Sequence, residues 1–492
     1  MVFILLALFA LALRIVPILG GNFPFMFDGA KDSLVMLEMY LQHKPALVGP
    51  TTSISGLFYG PAWYYIALPF NILGGFHPLA SVVGVLFLSL ITLYVFYRYV
   101  GRFSAFLYAV SISVIASQQT AWTPYMTSFC TLPVFLLLKK LKSGKYANTW
   151  VLMGIAFFSS LMFHFEVAFA IVFLPLVIVL LFLSKMKMQL KQFVLMCVAF
   201  FITLAPSAMF ELRHDFLQTR AVMNFVTRYR EQSAIIQPNS DGPARIVEVA
   251  RYFYDNIHLS TLPLANMALS VASVLLVLFF LYKNRKVYEY RVLLLILAGT
   301  FLLYLDLPIK PYYLVALTPL WIYLFSKAVE SVIPKYKPHI VIAFLILSVG
   351  SMYGSWQNYR SLAQTDRILL APKLKAIETA YAMSDGKPFS SYQFVPEIYD
   401  YTYQLLYLTE NLKGKPLPTE FSYAPGEITY IPQKHVPANT QKPEFIILIV
   451  EKFDHKQFFD PWWDRVAKHL TILETVKIND AITVYKTKQV AK

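Results

Sequence analysis

Two aspartates four residues apart, Asp28 and Asp32, with Lys31 between them, open the stretch FMFDGAKDSLVMLEMYLQHKPALVGPTTSISGLFYGPAWYY. On a helix these three side chains share one face. Leu34, Leu37 and Leu41 would give that helix an apolar side to rest on. Carboxylates beside an apolar surface are where pKa values are tuned for proton abstraction. A second reading stands beside the first: Asp28 is also a good N-cap for a helix that starts at Gly29.

Four further groups of residues have chemical potential. His164 and Glu166 in FHFE are an i, i+2 pair, which does not share a helical face. They read either as a loop-borne acid/base pair or metal site, or as a histidine satisfied by a backbone carbonyl. Glu211, Arg213 and His214 sit in PSAMFELRHDF. Arg213 there can snorkel, pair with Glu211, or hold a phosphate as a planar fork. Lys310 is the only Lys or Arg of DLPIKPYY and is an alternative phosphate contact. Arg14 lies inside the first apolar run, where a charge is costly and calls for a function or a buried partner. The aromatics Tyr59, Trp63, Tyr64 and Tyr65 read as interfacial anchors or as sugar-stacking platforms.

The elements that must position these residues are membrane helices. The chain of 492 residues is 57% hydrophobic and 14% charged, against about 25% charged in soluble domains. Apolar runs long enough to cross a bilayer, about 20 residues, recur at 2–19, 79–97, 103–118, 126–138, 149–163, 167–184, 192–210, 263–282, 292–305, 312–326 and 339–356. The N-terminal run has no basic leader and no small-x-small cleavage site, so it reads as a retained helix. Cys130 and Cys197 both lie in apolar runs and read as packing residues. No repeat of twenty to fifty residues stands out.

Loop charge sets the expected orientation. One set of short loops holds Arg98 and Arg102; Lys139, Lys140, Lys142 and Lys145; Lys185, Lys187 and Lys191; Lys283, Arg285 and Lys286; Lys327, Lys335 and Lys337. The other set, SQQTAWTPYMTS, HFE and DLPIKPYY, has Lys310 as its one Lys or Arg. The positive-inside rule then places the N-terminus in the cytoplasm and the long segments 20–78 and 211–262 outside. The formal charge of +15 is thereby a membrane signature and not a nucleic-acid one. Tyr59–Gly75, interrupted by Pro61, Pro69, Gly74 and Gly75, reads as an interfacial or re-entrant helix, since a true span there would invert every later loop.

Character changes at Gln357. FIILIVE (445–451), ITVYKT (482–487) and PFSSYQF (388–394) read as strands, and 363–382 as a helix. The expectation is an all-α polytopic membrane domain over 1–356, with about eleven crossings plus interfacial helices in the first external loop. A small extracytoplasmic α/β domain follows over 357–492.

The first loop, with FDGAKD followed by GPTTSISGLFYGPAWYY, resembles that of bacterial GT-C superfamily glycosyltransferases. These are relatives of the protein O-mannosyltransferases, the lipid A aminoarabinose transferases and the oligosaccharyltransferase catalytic subunits. AWTPY (121–125), FHFE (163–166) and PSAMFELRHDF (206–216) extend the likeness in order, so that it covers roughly residues 1–355. The resemblance implies a GT-C fold and transfer of a hexosyl or pentosyl group from a polyprenyl-phosphate or -diphosphate donor. The acceptor would be a lipid, glycan or protein outside the cytoplasm. It puts Asp28 at the position of the base or acceptor-orienting acid, assisted by Asp32. Lys31, His164, Glu166, Glu211, Arg213, His214 and Lys310 become candidates for contact with the donor phosphate or substrate. Many relatives have Asp-Glu where this chain has Asp28-Gly29, and AWTPYMTS lacks the acid that some carry there. No cofactor is required by these residues, and a divalent metal ion is left open. A polytopic transporter or lipid flippase is the alternative; it would place ionisable groups near the midplane in repeated halves.

Overall fold

The computed structural model describes residues 1–52, 54–141, 143–228, 242–397, 399–431, 439, 441–452 and 456–489. Ser53, the loop cation Lys142, and 229–241 of the second long loop lie outside the described residues.

Helix α1 (Val2–Ile18) leads into α2 (Phe27–Gln42) and α3 (Ala62–Leu73). Then come α4 (Leu79–Val95), α5 (Arg102–Val110), α6 (Ile112–Gln118), α7 (Ser128–Leu138), α8 (Thr149–Leu161) and α9 (Val167–Leu183). The domain closes with α10 (Leu190–Arg213), α11 (Leu217–Arg228), α12 (Pro243–Thr261), α13 (Met267–Asn284), α14 (Tyr288–Asp306), α15 (Thr318–Val332) and α16 (Lys337–Thr365). Polar residues just ahead of apolar runs start several of these helices by accepting an orphan amide. Asn148 accepts from Trp150, Glu166 from Ala168 and Asn266 from Leu269.

Among the described residues seven helical stretches are long and apolar enough to cross a membrane: Val2–Gly21, Leu79–Val100, Leu190–Arg213, Met267–Asn284, Tyr288–Asp306, Pro311–Val332 and Pro334–Thr365. Three more expected crossings are shorter apolar helices, Thr123–Leu138, Thr149–His164 and Val167–Leu183. The expected run 103–118 is two helices, because the backbone turns extended at Ser111, whose side chain caps α6. Along α10, Phe193, Val194, Val198, Phe201, Ile202, Met209 and Leu212 all point outward. So continuous an apolar wall would be costly in water and is at home against lipid chains.

α3 has 12 residues and Pro69 in its body. At 1.5 Å per residue it extends about 18 Å, short of the roughly 30 Å hydrocarbon core.

Among the described residues the C-terminal part holds a five-stranded sheet of order β2-β1-β3-β5-β4. Its strands are β1 (Phe389–Phe394), β2 (Phe421–Ser422), β3 (Phe445–Glu451), β4 (Leu470–Lys477) and β5 (Ile482–Gln489). β2, β1 and β3 pair in parallel; β5 and β4 continue antiparallel. Helices α17 (Leu370–Ser384), α18 (Tyr401–Leu412) and α19 (Lys456–Val466) pack on it. α16 runs on to Thr365, past the change of character at Gln357, before the chain turns extended at Asp366.

Candidate functional site

A cavity of about 390 Å³ lies where several loop-and-helix segments meet. Asp28 and Asp32 of α2 reach it from one side. The second side is the loop carrying Pro50 to Tyr59, the third is Trp122–Pro124 and the fourth is Tyr312 and Tyr313. Glu166 at the start of α9 faces the same space. The three short loops expected to share one face therefore do meet around one cavity.

Asp28 is not the N-cap of α2. The helix begins at Phe27, with Met26 at the cap position and no side-chain capping bond. Asp28 lies in the first turn, and its Oδ2 accepts from Trp122 Nε1 at 3.1 Å. Desolvation in the cleft raises its pKa; the Trp122 bond and the Lys31 charge oppose that. One turn later Asp32 is 4% exposed. Its Oδ2 accepts from Thr123 Oγ1 at 2.8 Å and its Oδ1 from Tyr64 Oη at 3.2 Å. Burial pushes its carboxyl up to about 7, and the neighbouring Asp28 charge adds to the rise against the pull of the two hydroxyls. Lys31 lies on the same face and donates to Thr51 Oγ1 at 3.2 Å.

The GPTTSISGLFYGP segment folds back on itself. Gly49 N–H donates to Tyr59 O at 2.7 Å, Tyr59 N–H to Pro50 O at 2.9 Å, and Thr51 bridges to Phe58. Its glycines are required by contact: a Cβ on Gly49 would sit 2.3 Å from Gly60 O, and one on Gly60 2.1 Å from His164 Nδ1. The fold-back delivers Tyr59 Oη to Glu166 Oε2 at 3.1 Å. Glu166 Oε1 accepts from the Ala168 amide. Burial pushes this carboxyl up to about 7, with both bonds holding it back. Trp122 packs on Tyr312 (centroids 4.6 Å apart) and Tyr312 on Tyr313 (4.7 Å), so the carboxylates face a wall of rings.

No family model matches the chain, and no curated protein does. Solved structures do match, among them two crystal structures of ArnT from Cupriavidus metallidurans, one bound to undecaprenyl phosphate and one in the apo state. Each shares 9% sequence identity and a TM-score of 0.58, over 97% of this chain and 97% of that chain. This chain has the ArnT fold. The likeness in fold extends over 97% of the chain, beyond the residues 1–355 that the motif resemblance covers.

The cavity takes in some of the candidate residues and leaves others out. Asp28, Asp32 and Glu166 line it, and Lys31 flanks it through Thr51. His164 is buried but turned to the first loop: its Nδ1 accepts from the Ala62 amide at 3.2 Å, under Gly60. It anchors the loop and does not form an acid/base pair with Glu166. Glu211 caps α11, accepting from the Gln218 and Thr219 amides at 2.9 Å each. His214 stacks on Phe210 at 4.0 Å and bonds its carbonyl. Arg213 is exposed on the same corner. None of the three lines the cavity. Lys310 is exposed on the loop whose Leu307 and Pro308 do line it. Arg14 has no carboxylate partner among the described residues. Its guanidinium bonds Gln118 and the carbonyls of Ala10, Ala109 and Tyr108, which ties α1 to α5 and α6.

Among the described residues no group of three or more His, Cys, Asp or Glu is arranged to hold a metal ion. The partners of the carboxylates, Tyr59, Tyr64, Trp122 and Thr123, were visible in the quoted motifs only as aromatic or polar residues. Arg245 was not legible at all. From α12 it donates to the carbonyls of Tyr304 at 2.8 Å and Leu307 at 2.6 Å and pins the loop beside the cavity.

Proposed function

We propose that this chain is a membrane glycosyltransferase of inverting type. It takes a hexosyl or pentosyl group from a polyprenyl-phosphate donor and transfers it to a lipid, glycan or protein acceptor on the extracytoplasmic face. The carrying observation is the coincidence of the ArnT fold with a cavity walled by Asp28, Asp32 and Glu166. The undecaprenyl phosphate held in the ArnT crystal structure supports the donor class.

In the proposed reaction the acceptor O–H gives its proton to Asp28, or is oriented by it, as its oxygen attacks the anomeric carbon. The bond from that carbon to the phosphate oxygen breaks, and the electron pair leaves with the polyprenyl phosphate. Asp28 suits the base because it is open to the cavity and its partner is a neutral indole N–H. Asp32, buried and bonded on both oxygens, supports it. Lys31 and Lys310, on the two rims, are assigned to the leaving phosphate, whose charge they offset electrostatically.

The external assignment of the cavity and the sheet domain rests on loop charge. It predicts that cysteines at Leu217 and Gly386 react with an impermeant thiol reagent in intact cells, and that one at Ser143 does not. The functional test is incubation of the purified protein with a panel of polyprenyl-phosphate sugars. Release of the lipid phosphate that depends on Asp28 supports the reading. Release by none of them, from folded protein with acceptor present, overturns it.

A further inference from the structure

The α2 helix carries both aspartates, yet nothing in its own sequence fixes its beginning. Met26 supplies no capping bond, and Asp28 lies in the first turn, where unpaired amides favour fraying. Trp122 holds Asp28 by one bond, and the remaining hold on this first turn comes from the far end of the chain. The segment before α2 pairs with the segment before α17: Phe25 N–H donates to Ile368 O at 2.9 Å, Leu370 N–H to Phe23 O at 3.0 Å, and Pro24 opposes Leu369. Phe27, the first residue of α2, stacks on Tyr401 (5.3 Å, 19°) and Tyr399 (5.8 Å, 23°). Those two rings lie nearly parallel to each other at 5.1 Å.

The sheet domain that offers these rings is itself tied down. Asn479, between β4 and β5, donates to the carbonyls of Ala363 and Asp366 at the end of α16. Arg367 bonds Glu397 at 2.7 Å and also reaches Glu451, a fully buried carboxylate that Lys373 and Tyr403 engage as well. A rigid linker therefore joins the last membrane helix to the surface that grips α2.

We propose that the C-terminal domain is a clamp for the reacting carboxylates, with Tyr399 and Tyr401 as positioning residues that hold Phe27 and so set where Asp28 points. The inference rests on the reading of Asp28 as the reacting group. It gives the domain a part in the transfer without any contact with the reacting atoms. A misplacement of about 1 Å in such a group can cost on the order of a hundredfold in rate.

The test uses the full chain in detergent or nanodiscs. Tyr399→Ala with Tyr401→Ala removes the rings, and Tyr399→Phe with Tyr401→Phe keeps them. Hydrogen exchange at the amides of α2 is read against those of α9, and kcat and donor KM are read with a polyprenyl-phosphate sugar. The alanine pair should speed exchange in α2 roughly tenfold, leaving α9 unchanged. It should lower kcat at least about tenfold, with donor KM within about twofold. The phenylalanine pair should restore both. Tyr399→Ala alone, at a half-exposed ring, should move both readouts the same way by less. Unchanged α2 exchange in the alanine pair, faster exchange with wild-type kcat, or failure of the phenylalanine pair to restore either would each overturn the clamp. If the wild-type protein turns over no such donor, the glycosyltransferase reading fails, and the exchange arm alone decides whether the domain holds α2.

Discussion

Two acidic corners of this molecule look alike in sequence and differ in space. Asp28, Lys31 and Asp32 in the first loop, and Glu211, Arg213 and His214 at the end of α10, each combine an acid with a cation at a helix end. The first set opens on a partly open cleft, where desolvation lifts Asp28 and brings the buried Asp32 to about 7. The second is a solvent-facing helix corner, where Glu211 is occupied by three donors from Gln218 and Thr219. Residue type and loop position select both. What separates them is desolvation: a carboxylate becomes a useful base only where water has been partly removed and the other donors are neutral.

The comparison is most easily broken at Asp28. Asp28→Asn keeps shape and removes charge, and should cost about 10²–10⁴-fold in transfer rate if the carboxylate is the base. Since Asp28 is not the cap of α2 and Asn can still accept from Trp122, the variant should leave thermal unfolding nearly unchanged. Near-normal turnover would return this corner to the same standing as the other. A smaller effect is expected at the rim. Lys310→Ala should raise donor KM by about tenfold, one charge-assisted phosphate contact, with little change in kcat. An unchanged donor KM would remove Lys310 from the phosphate assignment.

A third effect appears in stability. The folded pKa of Asp32 is raised to about 7 from an ordinary value near 4. Its contribution is therefore fully present below about pH 4 and lost as the pH rises through 7. Asp32→Asn has no charge to bury, so its unfolding temperature relative to wild type should climb between pH 5 and pH 8. Any loss of a Thr123 or Tyr64 bond in the variant is a constant offset across that range. A pH-independent difference between the two proteins would show that Asp32 is not desolvated.

How much of this was legible in sequence follows from range. Apolar runs and loop charge are local, so the apolar helices and the meeting of AWTPY, FHFE and DLPIKPYY were readable, whereas α11 and α12, amphipathic helices within 211–262, were not. The division of 103–118 was not, because a serine inside an apolar run breaks a helix only when its side chain turns to cap the next one. β4 escaped for a related reason: it is an edge strand with mostly exposed residues, so no buried alternation marks it. At the site, Asp28 and Glu166 stood out by type, whereas their partners are 94 and 107 residues away in the chain. His164 shows the converse: a histidine beside a glutamate reads as chemistry until its ring is found packed under Gly60.

The smallest effects should fall on the exposed corner, and they sharpen the contrast from its quiet side. Arg213→Ala removes an exposed guanidinium that lies outside the cavity lining, so transfer should change less than about twofold, as for most surface substitutions. Glu211→Ala removes three hydrogen bonds at the start of α11, a capping loss of about 1 kcal/mol. That loss should appear as faster hydrogen exchange across α11. α11 also contributes Val222 and Phe225 to the cavity wall, so a loosened start should raise donor KM slightly while leaving kcat alone. Glu211→Gln keeps an acceptor oxygen and should recover most of the protection. If Arg213→Ala instead lost turnover as steeply as Asp28→Asn, the phosphate would have to bind at the α10–α11 corner. Desolvation would then no longer be what distinguishes the working corner from the structural one.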